Sequence, residues 1–98
     1  MLIDVTKEEL KDILKSVNYA EHNGYPYGIM SSYKDDDYRP CLAFYENFSN
    51  CYDYTFPWDD DFTIRYNTDT KEYLLNYSGR YHNFNFNFRI LTVYNHVS

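Results

Sequence analysis

Five stretches between residues 42 and 90 place their large apolar or aromatic side chains at positions of one parity. They are Leu42, Phe44 and Phe48; Tyr52, Tyr54 and Phe56; Phe62, Ile64 and Tyr66; Tyr73, Leu75 and Tyr77; and Phe84, Phe86, Phe88 and Ile90. A strand turns successive side chains to opposite faces, so each set lies along one face of a sheet. The interior this implies is built from rings: the chain has 13 Tyr, 7 Phe and 1 Trp against only 3 Gly. Aromatics suit a half-buried pleated surface, where they bury much area and tyrosine keeps its hydroxyl at the rim. In the last stretch Asn83, Asn85 and Asn87 take the other face. Leu91 and Val93 then change parity, which predicts a bulge or two-sided burial near Arg89 to Leu91.

A sixth, weaker strand is predicted over 29–34. The gaps at 35–37, 49–51, 59–61, 68–71 and 78–80 are of hairpin length, which predicts that successive strands are antiparallel neighbours. With Ser49 to Cys51 as a three-residue loop, Phe44 would face Phe56 and Leu42 would face Trp58. Cys41 and Cys51 would then lie about 25 Å apart, beyond disulfide reach, giving two free thiols.

One helix is expected ahead of the strands. Thr6-Lys7-Glu8-Glu9 has the form of a capping box, and Val5 can staple onto Leu10. Leu10, Ile13, Leu14 and Val17 then recur on one helical face. The helix should end near Asn18 to Tyr19, with His22-Asn23-Gly24 and Pro26 as its exit. The expected fold is α+β: a single domain over 1–98, with an amphipathic N-terminal helix packed on an antiparallel meander of about five to six strands. The long final strand could pair with a copy of itself, giving a homodimer through an edge strand.

The formal charge of −6 is unevenly placed. Residues 35–61 hold Asp35, Asp36, Asp37, Glu46, Asp53, Asp59, Asp60 and Asp61 against Arg39 alone, while the rest of the chain is near neutral. In an up-and-down meander the turns bearing Asp35 to Asp37 and Asp59 to Asp61 emerge at one end, about 10 Å apart. Tyr33, Tyr38, Trp58 and Phe62 flank them.

This acidic, aromatic-bearing rim is the feature that points to function. Carboxylates along extended chain repeat at about 3.3 Å per residue, close to the ~3.4 Å axial spacing of phosphates on one DNA strand. The rim therefore suits a groove made for nucleic acid, with Tyr38 and Trp58 as anchors beside Asp35, Asp36, Asp37, Asp59, Asp60 and Asp61. Asp-rich turns also serve simply to hydrate a surface. Hard oxygen ligands would suit a divalent cation, but EF-hand spacing and a loop glycine are missing. Asp60 with Asp69-Thr70-Lys71 faintly matches a metal-dependent nuclease pattern, and the Phe84, Phe86, Phe88 comb could stack bases, although any core strand alternates in this way.

No catalytic, cofactor-binding or metal-ligating set is predicted. His22, His82 and His96 have no partner at triad spacing. No apolar run approaches the ~18 residues of a membrane span, and Asp4 with a helix cap stands where a signal peptide would be, so a cytoplasmic protein is expected. Ten Asn against two Ala and three Gly, with Asn, Tyr, Phe, Ile, Lys and Asp all tolerating AT-rich codons, fit an AT-rich genome such as that of a low-GC bacterium or its phage. The reading is a small acidic inhibitor, not an enzyme, that blocks a basic nucleic-acid-binding protein stoichiometrically. A phage-type counter-defence protein, anti-CRISPR or anti-restriction and a partial DNA mimic, fits this description. An immunity protein that caps a basic toxin nuclease is the alternative.

Overall fold

The helix begins where its cap predicts. In the computed structural model, which describes residues 1–46, 52–79 and 83–91, Thr6 Oγ1 accepts from Glu9 N–H and Glu9 Oε1 accepts from Thr6 N–H, both at 3.0 Å. These reciprocal bonds satisfy two amides that the first turn leaves without partners. The α-helix α1 runs over Lys7–Ile13 and tightens into a 3-10 turn at Leu14–Ser16. Leu10 and Leu14 are buried, whereas Ile13, expected on the same face, is exposed.

Among the described residues eight strands form the sheet: β1 (Leu2–Val5), β2 (Tyr19–His22), β3 (Tyr25–Lys34), β4 (Pro40–Glu46), β5 (Tyr54–Pro57), β6 (Phe62–Asn67), β7 (Glu72–Ser78) and β8 (Asn83–Leu91). Their order is β1-β6-β7-β8-β2-β3-β4-β5, and every ladder is antiparallel. The α+β class holds, but the sheet has eight strands where five to six were expected. The two additions are β1 and β2, which flank the helix. β2 and β3 meet through Asn23 and Gly24, both at positive φ (52° and 82°), with His22 opposite Tyr25. That is the two-residue hairpin turn an Asn-Gly pair favours, so these residues turn a strand pair instead of ending a helix.

Two further expectations fail. Residues 58–61 do not join paired neighbours, because β5 is an edge strand and β6 stands next to the opposite edge. The sheet curls, so β5 and β6 meet face to face: Phe56 and Trp58 lie 6.3 and 5.8 Å from Phe62 between ring centroids. The β4–β5 register also differs by two residues, with Leu42 opposite Phe56 and Phe44 opposite Tyr54. Two residues preserve parity, so the same side chains still face inward. Phe48 and Cys51 lie outside the described residues, and Cys41 is a free, buried thiol.

The enclosed face is filled as the alternation predicts, by Ile29, Leu42, Phe44, Phe56, Phe62, Ile64, Tyr73, Leu75, Phe86 and Phe88, with Leu10 and Leu14 supplied by the helical segment. Leu14→Ala is expected to cost about 2–5 kcal/mol in urea unfolding, because the 5% exposed side chain would leave a cavity where the helical segment meets the sheet.

β8 joins the two halves of the sheet. It pairs with β7 over Asn83 to Phe88 and with β2 over Arg89 to Leu91. It lies inside the strand order, so it is not the edge strand that the sequence suggested. Beyond the short β2 ladder the joint is carried by His22, which is buried and stacked on Phe86 at 3.9 Å. Its Nδ1–H donates to Asn87 O at 2.6 Å, and Nε2 accepts from the Asn23 amide at 3.2 Å. On the outer face Tyr45 lies flat over Gly28, its cross-strand partner, and a Cβ there would stand 2.2 Å from the ring. Among the described residues no helix is long and apolar enough to cross a membrane.

Candidate functional site

The two Asp triplets meet, and an arginine joins them. The β3–β4 loop is a tight turn in which Tyr38 N–H donates to Asp35 O (2.9 Å) and Asp35 N–H to Arg39 O (3.1 Å). Asp35 organises it: Oδ1 accepts from the amides of Asp37 and Arg39, both at 2.9 Å, and Oδ2 from Arg39 Nε at 3.0 Å. Local bonding of this kind is why aspartate favours turns. The Arg39 amide, aided by the Arg39 side chain and the Asp37 amide, holds the Asp35 carboxyl below the usual carboxylate range.

The second triplet follows β5 and is held by the helix. Lys7 Nζ donates to Trp58 O and Asp60 O, each at 2.7 Å, and stands 4.2 Å above the Phe62 ring. Asp60 faces inward, accepting from the Tyr77 hydroxyl and lying 3.7 Å from Arg39 Nη1. Arg39 thus spans Asp35 and Asp60 across a cleft of about 440 Å³ lined by Asp35, Asp37, Arg39, Thr55, Pro57, Asp60 and Tyr77.

The six carboxylates therefore divide. Asp35 and Asp60 are committed to internal bonds, while Asp36, Asp37, Asp59 and Asp61 are exposed. Asp36 also lies near Tyr33, whose hydroxyl is raised above its ordinary pKa first by burial and then by the Asp36 charge. Arg39 and Tyr77 are the residues sequence reasoning missed. The signal for Arg39 was its position as the single cation within the acidic stretch.

The two expected anchors separate as well. Tyr38 is 84% exposed and held at φ 61°, in the left-handed region. A three-residue hairpin loop needs a residue there, and glycine is the usual choice because a Cβ costs roughly 1–2 kcal/mol. Trp58 is not presented. Its indole is 3% exposed and donates from Nε1 to Ser31 O at 2.8 Å, at the β3 bulge between Met30 and Tyr33. Lys11 covers the ring at 4.9 Å. Trp58 continues the inward parity of Tyr54 and Phe56, which accounts for its burial. It belongs to the core and leaves the contact surface.

Tyr38→Gly should raise stability by about 1 kcal/mol in the urea midpoint, by removing the strained side chain from a solvent-exposed position. A neutral or destabilising result would show that the Tyr38 ring carries a packing role in the free protein.

The other chemistry considered does not assemble. Asp60 and Lys71 stand at opposite ends of β6, about 20 Å apart at the rise of a strand. Asp69 instead binds the N-terminal ammonium at 2.8 Å. Among the described residues no group of three or more His, Cys, Asp or Glu is arranged to hold a metal ion. Phe86 and Phe88 are core residues and Phe84 packs against them, so they form no open platform for bases. The chain matches no protein-family model, no curated protein and no solved structure.

Proposed function

We propose that this protein acts by binding, stoichiometrically, to the basic surface of a nucleic-acid-binding protein, and inhibits that partner by occupying the place of nucleic acid. The observation that carries the reading is the division of the acidic rim. Asp36, Asp37, Asp59 and Asp61 are exposed around a turn that Asp35, Arg39 and Asp60 hold together, and Tyr38 projects from it at an energetic cost in the free protein. Tyr38 is 84% exposed at a left-handed backbone position, and strained backbone clusters where chains bind. Tyrosine is also among the residue types that dominate interface energies.

Both biological settings use this surface. A phage-encoded inhibitor of a CRISPR or restriction effector and an immunity protein for a toxin nuclease would each need carboxylates to meet lysines and arginines, and each would associate faster at low salt. A toxin gene immediately upstream favours immunity, and phage genes on either side favour counter-defence. The direct test is capture of a partner from host lysate at low and high salt by the native chain and by the variant Asp36→Asn, Asp37→Asn, Asp59→Asn, Asp61→Asn. A basic nucleic-acid-binding protein recovered only by the native chain, and less well in salt, supports the proposal. A partner indifferent to both changes moves the contact to another face.

A further inference from the structure

Among the described residues the strand order ends at β5 and at β1, and the two ends differ in the backbone groups they turn outward. At β5, Trp58 N–H donates to Pro40 O. In an antiparallel ladder bonded pairs alternate with non-bonded pairs. With Cys41 opposite Pro57, this phase turns the outward backbone positions of β5 to Thr55 and Pro57. Proline has no N–H, so that edge lacks a donor a new strand would need.

At β1 the same reasoning gives the opposite result. Thr68 N–H donates to Met1 O at 2.9 Å, and the ladder continues as Leu2↔Asn67, Ile3↔Tyr66, Asp4↔Arg65 and Val5↔Ile64. Met1, Ile3 and Val5 therefore spend their backbone groups on β6, and Leu2 and Asp4 turn N–H and C=O to the open side. Met1, Leu2 and Ile3 are also among the few large apolar side chains left exposed, at 72, 45 and 42%.

We infer that β1 pairs with β1 of a second copy of this chain, antiparallel about a two-fold axis at Ile3. The phase selects this register. Leu2 then stands opposite the copy's Asp4 and Asp4 opposite the copy's Leu2, so all the outward donors and acceptors of both strands are used. Ile3 meets Ile3 as a close non-bonded pair at the axis. Charge permits the contact: Asp4 is accompanied by Arg65 at 3.5 Å, so each copy brings a compensated pair to the joint. The acidic rims begin beyond Phe62, the far end of the strand that β1 lies against, and the two-fold carries them to opposite ends of the joined sheet. This inference stands independently of the proposed function.

The experiment is sedimentation velocity on the full chain across micromolar to millimolar concentrations, with three variants. The native chain should shift from the mass of one chain to that of two. Leu2→Pro should stay at the mass of one chain with its thermal midpoint unchanged, because the Leu2 N–H is not used against β6. Ile3→Cys should form a disulfide-linked dimer on oxidation, above the baseline of a parent chain that already carries Cys41 and Cys51. Asp4→Cys should not, because the register sets it against Leu2. A native chain that stays monomeric, a dimer that survives Leu2→Pro, or cross-linking by Asp4→Cys equal to that by Ile3→Cys overturns the inference. Should Leu2→Pro lower the midpoint, the two cysteine variants decide alone.

Discussion

Phe44→Ala should remove about 3–5 kcal/mol of stability, seen as a fall in the urea midpoint at unchanged slope. Phe44 is fully buried, and its ring meets Phe86 at 4.7 Å, Phe88 at 5.1 Å and Phe56 at 6.2 Å. It contacts β5 and β8 at once, so its loss opens a cavity where the two halves of the curled sheet come together. A domain of this size holds roughly 5–15 kcal/mol in total, so the variant would be partly unfolded at the lower end of that range. Phe44→Leu should recover most of the loss by filling much of the volume. Tyr25→Ala, at a 65% exposed site, should change the midpoint little. Equal effects at Phe44 and Tyr25 would mean that the ring cluster is not the core.

The second large effect concerns binding. Replacing Asp36, Asp37, Asp59 and Asp61 together with Asn should weaken partner affinity by roughly 100-fold or more, and reduce its salt dependence, while thermal unfolding is unchanged. The choice of four matters. Asp35 and Asp60 hold Arg39, the turn amides and the Tyr77 hydroxyl, so a variant of all six would confuse a broken loop with a lost contact. Asp60→Asn alone serves as the comparison: it should loosen the join between the loops and lower the thermal midpoint. Affinity unchanged by the fourfold variant would exclude the acidic rim as the contact surface.

What could be read from the chain follows how regular each element is. The capping box at Thr6 and Glu9 needs only four adjacent residues, and the alternation in β6, β7 and β8 reflects strands with one buried face. β1 shows no such alternation, because as an edge strand it is exposed at Leu2, Ile3 and Asp4 alike. β2 was hidden by its one buried polar residue: His22 occupies an inward position that an apolar residue would have marked. The Asn23-Gly24 turn did carry a local signal, overridden by the helix reading before it. The link at 58–61 is short enough for a hairpin, and only the curl of the whole sheet, a non-local property, decides that its strands do not pair.

The candidate site shows the same limit. The meeting of the triplets was legible from loop parity, since β3, β4 and β5 do run as consecutive neighbours. Which carboxylates stay exposed was not, because it depends on where Arg39 and Tyr77 arrive. Trp58 illustrates how composition misleads. Its neighbours Asp59 to Asp61 suggest a surface, while its parity with Tyr54 and Phe56 places it inside.

The strand order has a consequence for how the chain is made. β2 to β5 can zip together in sequence as they leave the ribosome, but β1, synthesised first, has no partner until β6 emerges, and β2 lacks one neighbour until β8 does. Pairings that close more than half of the chain carry a high entropic cost before they yield contacts, so the last steps of assembly are the slow ones. Until residue 91 is free of the exit tunnel, the nascent protein carries an unclosed sheet with its rings uncovered, the state in which a chaperone would meet it.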